Sequence, residues 1–391
     1  MKKLFLAMCA LIGVCSQAAA EQKDVTLAGF AFAGQYEEAK VRLPYTFKVF
    51  ETAKNQKNSL SRVILARADQ IKNPDIRYLP GELASLKGSQ SLMAILTMSG
   101  ETVSTTCFST GCKIFVNLRG DATIFDAKNH TIVRNYPLNL NIFDAISTGS
   151  PSEEHLVSLI EDALRRTDGN GIISQFNERL VHARLPREGV SSLNLQVGNV
   201  EITPEALALL PTNIRADKAL SENILADTFS SIFASRLGVP MLPTKTGHAQ
   251  GTMQTRLENG TDFELKIPKG DYLFDIKLSK FVKVKTGENE LGRSFIVGAY
   301  VKLRLSSELN DYINTDIKNG ENTEELITQK NIDDSPAYQD ALRGLFLKVS
   351  EAIKEPTGKW GKWLPTSVSA KDMAQQIDKT STLMKTLRTY P

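Results

Sequence analysis

The order of apolar segments places the strongest limit on how this chain can fold, because one series of element types occurs twice. Each series starts with an apolar strand, continues with a helix and an antiparallel group of strands, and ends with another helix. The first strand, 25–33, is apolar on both faces, which is typical of a strand covered on both sides. The strand that opens the second series, 193–202, alternates between apolar and polar residues. We therefore expect an α/β fold with an α+β tendency, built from two similar units.

The segments of both series can be placed by their periodicity and by their start and stop signals. In the first series we expect helical structure over 44–72, strands at 91–97, 113–118, 122–126 and 131–141, and helices after Ser150 and over 173–183. In the second series we expect a helix over 221–237, strands at 272–284, 294–306 and near 312–317, and a helix over 335–353. Residue identity between the series is slight, so the repeat depends on the pattern alone.

These patterns divide the chain into four parts. We expect a signal peptide over 1–20, an N-terminal α/β unit over 21–188, a C-terminal α/β unit over 189–355, and an appendage over 356–391 with a tryptophan-containing turn and a helix. Removal of the first 20 of the 391 residues leaves 371 residues. A chain of that length exceeds one ordinary hydrophobic core, which favours two domains.

The first twenty residues have the three parts of a secretory signal peptide. A positive start at 2–3 precedes an apolar run over 4–14, and the expected cleavage site is formed by Ala18, Ala20 and Glu21. So short an apolar run does not cross a hydrocarbon core of about 30 Å, so it is not expected to remain as a transmembrane anchor. The sequence thus predicts a soluble protein of a Gram-negative type periplasm.

Only two of the four cysteines, Cys107 and Cys112, would remain after cleavage. Cys15 is a poor site for lipid attachment because Val14, rather than a small residue, precedes it, so we do not expect a lipoprotein. Cys107 and Cys112 flank four residues between two β-type segments, and a tight hairpin would bring their Cα atoms within bridging distance. An oxidising periplasm would favour a disulfide. Redox catalysis and zinc binding are the alternatives, and the spacing favours neither.

The even balance of charges gives no reason to expect a polyanionic partner. The whole chain has a formal net charge of +3, and Lys2 and Lys3 supply two of these charges. A mature protein with so little excess positive charge is not expected to bind nucleic acid or an anionic membrane through its overall field.

No residue pattern predicts a catalytic centre, a metal site or a cofactor. The histidines lack the paired spacing of metal ligands, and nucleophile and nucleotide-binding motifs are absent. The turn at 168–171 resembles a calcium loop, but Arg166 would occupy its first ligand position, so we expect a turn between helices. Glu101, Asp126 and Asp144 could meet in a cleft as glycosidase carboxylates do, although surface strand ends are the simpler interpretation.

Trp360 and Trp363 are the only tryptophans, three residues apart in a basic stretch that contains glycine and proline. An exposed aromatic pair could bind a partner protein or a glycan. Alternatively, both rings fix the appendage to the body of the protein, which is the interpretation we favour.

These observations predict a non-catalytic binding or scaffold component of a cell-envelope assembly or secretion system, with an envelope protein as its partner. Two alternatives belong to other classes of protein. One is a periplasmic hydrolase that acts on glycan or peptidoglycan, and the other is a carrier of a small ligand or lipid. The sequence does not determine the oligomeric state.

Overall fold

The computed structural model describes residues 22–34, 36–54, 56–81, 91–108, 111–147, 149–186, 192–244, 252–258, 260–327 and 333–389. Its strands are β1 Lys23–Ala33, β2 Ile76–Pro80, β3 Leu92–Phe108, β4 Gly111–Asp126, β5 Thr131–Ile146, β6 Leu195–Ile202, β7 Thr252–Leu257, β8 Asp262–Lys266, β9 Tyr272–Glu288, β10 Gly292–Ser306 and β11 Asp311–Leu326. Its α-helices are α1 Tyr36–Arg42, α2 Pro44–Ala53, α3 Leu60–Leu65, α4 Glu153–Arg165, α5 Ile172–His182, α6 Pro204–Leu207, α7 Thr212–Arg215, α8 Lys218–Leu237, α9 Ser335–Lys354 and α10 Ala370–Thr389.

The first sheet has seven strands in the order β2-β1-β3-β4-β5-β8-β7. Strand β1 runs parallel to β2 and β3, whereas β3, β4 and β5 form the antiparallel group that the sequence predicts. Strand β7 also pairs with the end of β1, so the hairpin of β7 and β8 closes this part of the sheet into a ring. The contact between β5 and β8 is short, with Thr131 paired to Lys266.

Both faces of the first sheet are covered, which explains the doubly apolar sequence of β1. One face packs with apolar side chains of the helices that precede β2 and follow β5, including Phe50, Ile64 and Phe176. The other face contributes Ala31 and Phe125 to a smaller cluster beneath the β7–β8 hairpin and the segment after α8. A strand between two apolar layers needs apolar residues at consecutive positions, as the sequence predicts for 25–33.

The second sheet has the order β11-β10-β9-β6, with β6 parallel to β9 and the other neighbours antiparallel. Helices α8, α9 and α10 share one apolar core with the inner face of this sheet. Helix α8 begins where the Asp217 side chain accepts a hydrogen bond from the amide of Leu220. It ends at Gly238, whose φ of 64° suits glycine, as the sequence predicts. The outer face of the sheet carries exposed polar side chains.

The predicted α/β class is confirmed, since helices pack on mixed sheets. The order β5-β4-β3-β1 within the first sheet corresponds to β11-β10-β9-β6 in the second sheet. The interpretation as a duplicated unit, with limits at 21–188 and 189–355, stays a prediction. Residues 252–266 lie in the range expected for the C-terminal unit, yet they add β7 and β8 to the first sheet. This hairpin buries Met253, Leu257 and Leu265 against that sheet.

Strand β11 is longer than the weak strand expected near 312–317, because it pairs with β10 over almost its whole length. Its outward residues are polar, which lowers the β-type signal, whereas every second residue, such as Ile313 and Ile317, is buried. Pairing with a neighbouring strand therefore overrides a weak local preference. None of the described helices is both long and apolar enough to cross a membrane.

Candidate functional site

A cleft of about 460 Å³ lies where the first sheet, α8 and the C-terminal helices meet, and its walls are strongly basic. It is lined by six long cationic side chains: Arg134, Arg179, Arg184, Arg236, Lys354 and Arg388. His182 also lies on the wall, whereas Asp75 is the only acidic residue among the described residues that line it. We refer to this feature as the basic cleft.

The basic cleft forms because four helices end at the same place. Helices α5, α8, α9 and α10 carry basic residues in their last turns. A cation is favourable there, since the unpaired carbonyl groups give the end of a helix a partial negative charge. Each basic residue thus has a local reason to be present, and the tertiary structure adds their charges together.

Hydrogen bonds hold several of these side chains in the wall. Arg388 donates from Nη2 to the carbonyl oxygen of Leu237 at 2.6 Å, at the end of α8. Arg179 donates from Nη2 to the hydroxyl of Ser235 at 2.6 Å, which joins α5 to α8. Arg134 donates from Nε to the carbonyl oxygen of a neighbouring wall residue, Arg184, at 3.1 Å. The guanidinium groups are therefore placed by the fold before any ligand is present.

The positive charges of the basic cleft exceed the negative charges near them. Four helix ends supply about half a negative charge each. Asp75 adds one charge, Glu351 adds another through its ion pair with Arg236 at 3.6 Å, and Glu178 acts on Arg179. About five negative charges therefore face six cations, which leaves a small excess of positive charge in the cleft.

Arg134 is the most unusual of these cations, because only 3% of its surface is exposed. No carboxylate lies within ion-pair distance of it in the described part of the chain. Burial lowers the pKa of Arg134 and also that of Arg179, which is the direction expected when a charged group loses water. A buried cation without a counterion is costly, so an anion in the cleft would be stabilising.

The geometry suits a carboxylate or a phosphate group. A guanidinium presents several N–H donors in one plane and can bind two oxygens of such a group at once. The hydroxyl of Tyr136 accepts a hydrogen bond from the amide of Arg184 at 3.3 Å and adds a polar group to the same wall. The arrangement can therefore hold an anion.

The predicted disulfide is present. Cys107 and Cys112 are bonded across the end of the hairpin formed by β3 and β4, with their Cα atoms 4.0 Å apart. This bond lies on the strand end and not in the basic cleft. The expected signal cleavage site at Ala18, Ala20 and Glu21 lies outside the described residues.

The two tryptophans have different environments. Trp360 is only 7% exposed and packs in the core of the second sheet, where its indole Nε1 donates to the carbonyl oxygen of Pro356 at 3.0 Å. Trp363 is 38% exposed. Only Trp363 presents an aromatic surface to solvent, and a partner-binding role for the pair stays a prediction.

The three carboxylates considered for hydrolysis do not form one cleft. Glu101 accepts hydrogen bonds from the first amides of α2 at 2.8 and 2.9 Å. Asp126 accepts bonds from the turn after β4, and Asp144 pairs with His155 at 2.7 Å. Asp144 lies opposite Ile114 on β4. Asp126 is at the far end of the same strand, and at about 3.3 Å per residue the two carboxylates are about 40 Å apart.

The histidines and the candidate calcium loop also remain separate. His130 occupies a turn with a positive φ of 52°, while His248 lies outside the described residues. At the 168–171 turn, Asp168 accepts a bond from the amide of Asn170 at 3.0 Å, as a turn residue does. Within the described residues, no three histidine, cysteine or acidic side chains form a group that could hold a metal ion.

The arginines of the basic cleft belong to no sequence pattern that predicts a site. One signal was available, namely a basic residue in the last turn of several helices. This signal is common in helices that end in solvent, so it does not indicate a site. Only the convergence of four helix ends makes it informative, and that convergence is a property of the tertiary structure.

No protein-family model matches the chain, and no curated protein matches it either. Among solved structures, a minor lipoprotein from Acinetobacter baumannii is similar to part of the chain. The match covers 46% of this chain and 99% of that chain, with 7% sequence identity and a TM-score of 0.23. A similarity of this extent carries no argument about fold or function.

Proposed function

We propose that this protein is an exported, soluble periplasmic binding protein that acts without catalysis and holds an anionic ligand in the basic cleft. Its role would be that of a binding or scaffold component in a cell-envelope assembly or secretion system. The observation that carries the proposal is Arg134, a buried cation that lacks a carboxylate partner within the described residues and lines an open basic cleft.

The charge of the cleft supports a ligand with carboxylate or phosphate groups. The whole chain is close to neutral, so the excess positive charge is local and would act on a ligand that enters the cleft. Several wall side chains are already held by hydrogen bonds, so little side-chain conformational entropy would be lost when a ligand binds.

The signal-peptide pattern at the N-terminus supports export, and the disulfide is compatible with it. Disulfides persist in the periplasm and are rare in the reducing cytosol. Cell fractionation would test this part of the proposal. We expect the protein in the periplasmic fraction, shortened by residues 1–20, and recovery of the unshortened chain from the cytosol would contradict it.

Titration of the mature protein with inorganic pyrophosphate tests the ligand class. We expect saturable binding that weakens as salt is raised, because charged groups dominate the interaction. Arg134→Gln should weaken binding by about tenfold or more, since a charge-assisted hydrogen bond contributes about 1.5–3 kcal/mol. Arg184→Gln, at an exposed position of the same cleft, should weaken binding less and gives a variant whose folding is not at risk.

Arg293→Gln is the matched control. Arg293 is exposed and ion-paired with Glu288 at the far end of the second sheet, so its replacement should leave pyrophosphate affinity unchanged. Absence of binding to the parent protein, or equal affinity of the parent and both cleft variants, would contradict the proposal.

Crosslinking in cells tests the scaffold role. We expect one envelope protein to co-purify with the parent protein and to be recovered in smaller amount with Trp363→Ala if the exposed indole contributes to the contact. Repeated recovery of the protein alone would contradict a scaffold role, while leaving the anion-binding measurement intact.

A further inference from the structure

A second cavity, of about 60 Å³, lies between the covered face of the first sheet and α8. It shares no lining residue with the basic cleft. Arg42 at the end of α1 and Arg119 on β4 form its cationic wall. Asn223, Asp227 and Ser230 line the opposite wall from α8. We refer to it as the polar cavity.

Buried polar atoms without partners are concentrated on this cavity. In the described part of the chain, nine buried side-chain nitrogen or oxygen atoms lack a hydrogen-bond partner. Four of the nine belong to residues that line the polar cavity: Arg42 Nε, Arg119 Nε, Asn223 Oδ1 and Ser230 Oγ. Such atoms are rare in folded proteins because each costs free energy, and a cluster of them around one space indicates missing partners inside that space.

Arg119 and Ser230 are the most buried of these residues, and both arginines are held in place by hydrogen bonds. Arg119 is only 4% exposed, and its Nη1 donates to the Thr102 hydroxyl at 3.0 Å. Ser230 is only 3% exposed. The Nη1 of Arg42 donates to the carbonyl oxygen of Ser99 at 3.0 Å. Each guanidinium therefore has one side fixed by the protein and its Nε–H unpaired.

Two glycines lie beside the polar cavity where the backbone is tightly packed, and one of them contacts Arg119. A Cβ atom at Gly100 would lie 2.6 Å from Nη2 of Arg119, and one at Gly120 would lie 2.7 Å from the carbonyl oxygen of Thr97. Neither position can hold a side chain without moving its neighbours. At Gly100 the neighbour is the Arg119 guanidinium itself, so the absence of a side chain on this part of β3 leaves room for it, whereas at Gly120 the neighbour is the backbone of β3.

The walls of the polar cavity have opposite character. Asn223, Asp227 and Ser230 are spaced i, i+4 and i+7, so they form one stripe on α8. Asp227 makes no hydrogen bond or ion pair with any described residue, although its carboxylate feels the charges of both arginines. The first sheet also contributes Asp121, whose Oδ1 accepts a hydrogen bond from Nδ2 of Asn135 at 2.7 Å. The two arginines from the first sheet and α1 thus face Asp227 and the unpaired Oδ1 of Asn223 on α8 across the cavity.

We infer that the polar cavity binds a small zwitterion, with a carboxylate at the Nε–H groups of Arg42 and Arg119 and an ammonium group at Asp227 and Asn223. Each end of such a molecule supplies the partner that one wall lacks. A water molecule needs about 10–15 Å³ of such space, so the cavity holds about five non-hydrogen atoms. That is the size of glycine or alanine.

Equilibrium binding of glycine and L-alanine to the mature protein, after removal of any bound small molecule by dialysis, tests this inference. We expect saturable binding of at least one of them. Acetate and methylammonium, which each carry one of the two charged groups, should bind at least tenfold more weakly. Mass spectrometry of material released from undialysed protein should show a free amino acid of similar size.

Two variants separate this site from the basic cleft. Asp227→Asn keeps the size of the side chain and should weaken alanine binding by at least tenfold. Arg184→Gln should leave alanine binding unchanged, whatever its effect on pyrophosphate. The inference is overturned if neither amino acid binds, if acetate binds as tightly as alanine, if Asp227→Asn binds normally, or if a crystal soaked with alanine contains only water in the cavity.

Discussion

The two sheets of this protein differ in how many of their faces are covered. The first sheet is covered on one face by helices and on the other by the β7–β8 hairpin and α8. The second sheet packs with helices on one face and leaves the other face to solvent. Their strand orders correspond over four strands, so the second covering layer is the main difference between them.

This difference determines how much free energy is needed to place a charged residue on each sheet. On the open face of the second sheet, Lys302 and Arg304 are exposed to solvent, so their charges remain hydrated. On the twice-covered sheet, Arg119 and Asp121 are buried and depend on specific partners. These two buried charged groups, and with them the polar cavity, lie where the second layer covers the first sheet.

The largest expected effect comes from truncating a side chain beneath that layer. Phe125 is 1% exposed and stacks on Phe263 of the hairpin, with ring centroids 5.5 Å apart. Phe125→Ala should lower the free energy of unfolding by about 3–5 kcal/mol, since it removes buried contacts and leaves a cavity. Urea denaturation followed by circular dichroism measures this loss.

Phe143→Ala is the matched control for that prediction. Phe143 lies on the neighbouring strand of the same sheet, beyond the hairpin, and is 68% exposed. Its ring packs on that of Phe115, with the ring centroids 5.2 Å apart. Its truncation should therefore lower the free energy of unfolding by no more than about 1 kcal/mol. Equal losses for the two variants would mean that the hairpin does not cover the sheet in solution.

A smaller effect is expected from the pH dependence of the buried carboxyl group in the same layer. Burial raises the pKa of Asp121 to about 7, whereas an aspartate in an unfolded chain ionises near pH 4. The folded state therefore binds more protons between about pH 4 and pH 7, so stability falls as the pH rises through this range. The shift corresponds to at most about 4 kcal/mol.

Asp121→Asn should remove that part of the pH dependence. Urea denaturation at pH 5 and pH 8 should show a smaller difference for the variant than for the parent protein. Asp378→Asn, an exposed substitution on α10, should keep the difference of the parent. An unchanged difference in Asp121→Asn would show that Asp121 ionises in the folded protein as it does in water.

The smallest of the three effects concerns the hairpin ends of the two sheets. The β3–β4 end is joined by the disulfide, whereas the turn between β9 and β10 depends on hydrogen bonds from Leu291 and Gly292 to the Asn289 side chain. The double replacement of Cys107 and Cys112 by serine should cost about 2 kcal/mol, because a short closed loop removes little entropy from the unfolded chain.

A reducing agent provides the control for this prediction. It should destabilise the parent protein by a similar amount and leave the serine variant unchanged. If the variant is as stable as the oxidised parent, the bond does not restrain the unfolded chain as the entropy model requires.

The sequence by itself determined the α/β class, most strand and helix positions and the cysteine pair, because these depend on local periodicity and short spacing. The doubly apolar run of β1 and the alternation of β10 distinguish a strand covered twice from one covered once. A glycine after the last apolar residue of α8 likewise marks its end. Signals of this kind act over a few residues and are readable without a fold.

The tertiary structure alone decided where the 252–266 hairpin pairs, how far β11 extends and which charges meet. Arg134 and Arg388 are far apart in sequence, and the basic cleft exists only because four helices end together. In the same way, Arg119 and Asp227 become neighbours only when α8 packs on the first sheet. Long-range packing sets these distances, and no local pattern of residue types encodes them.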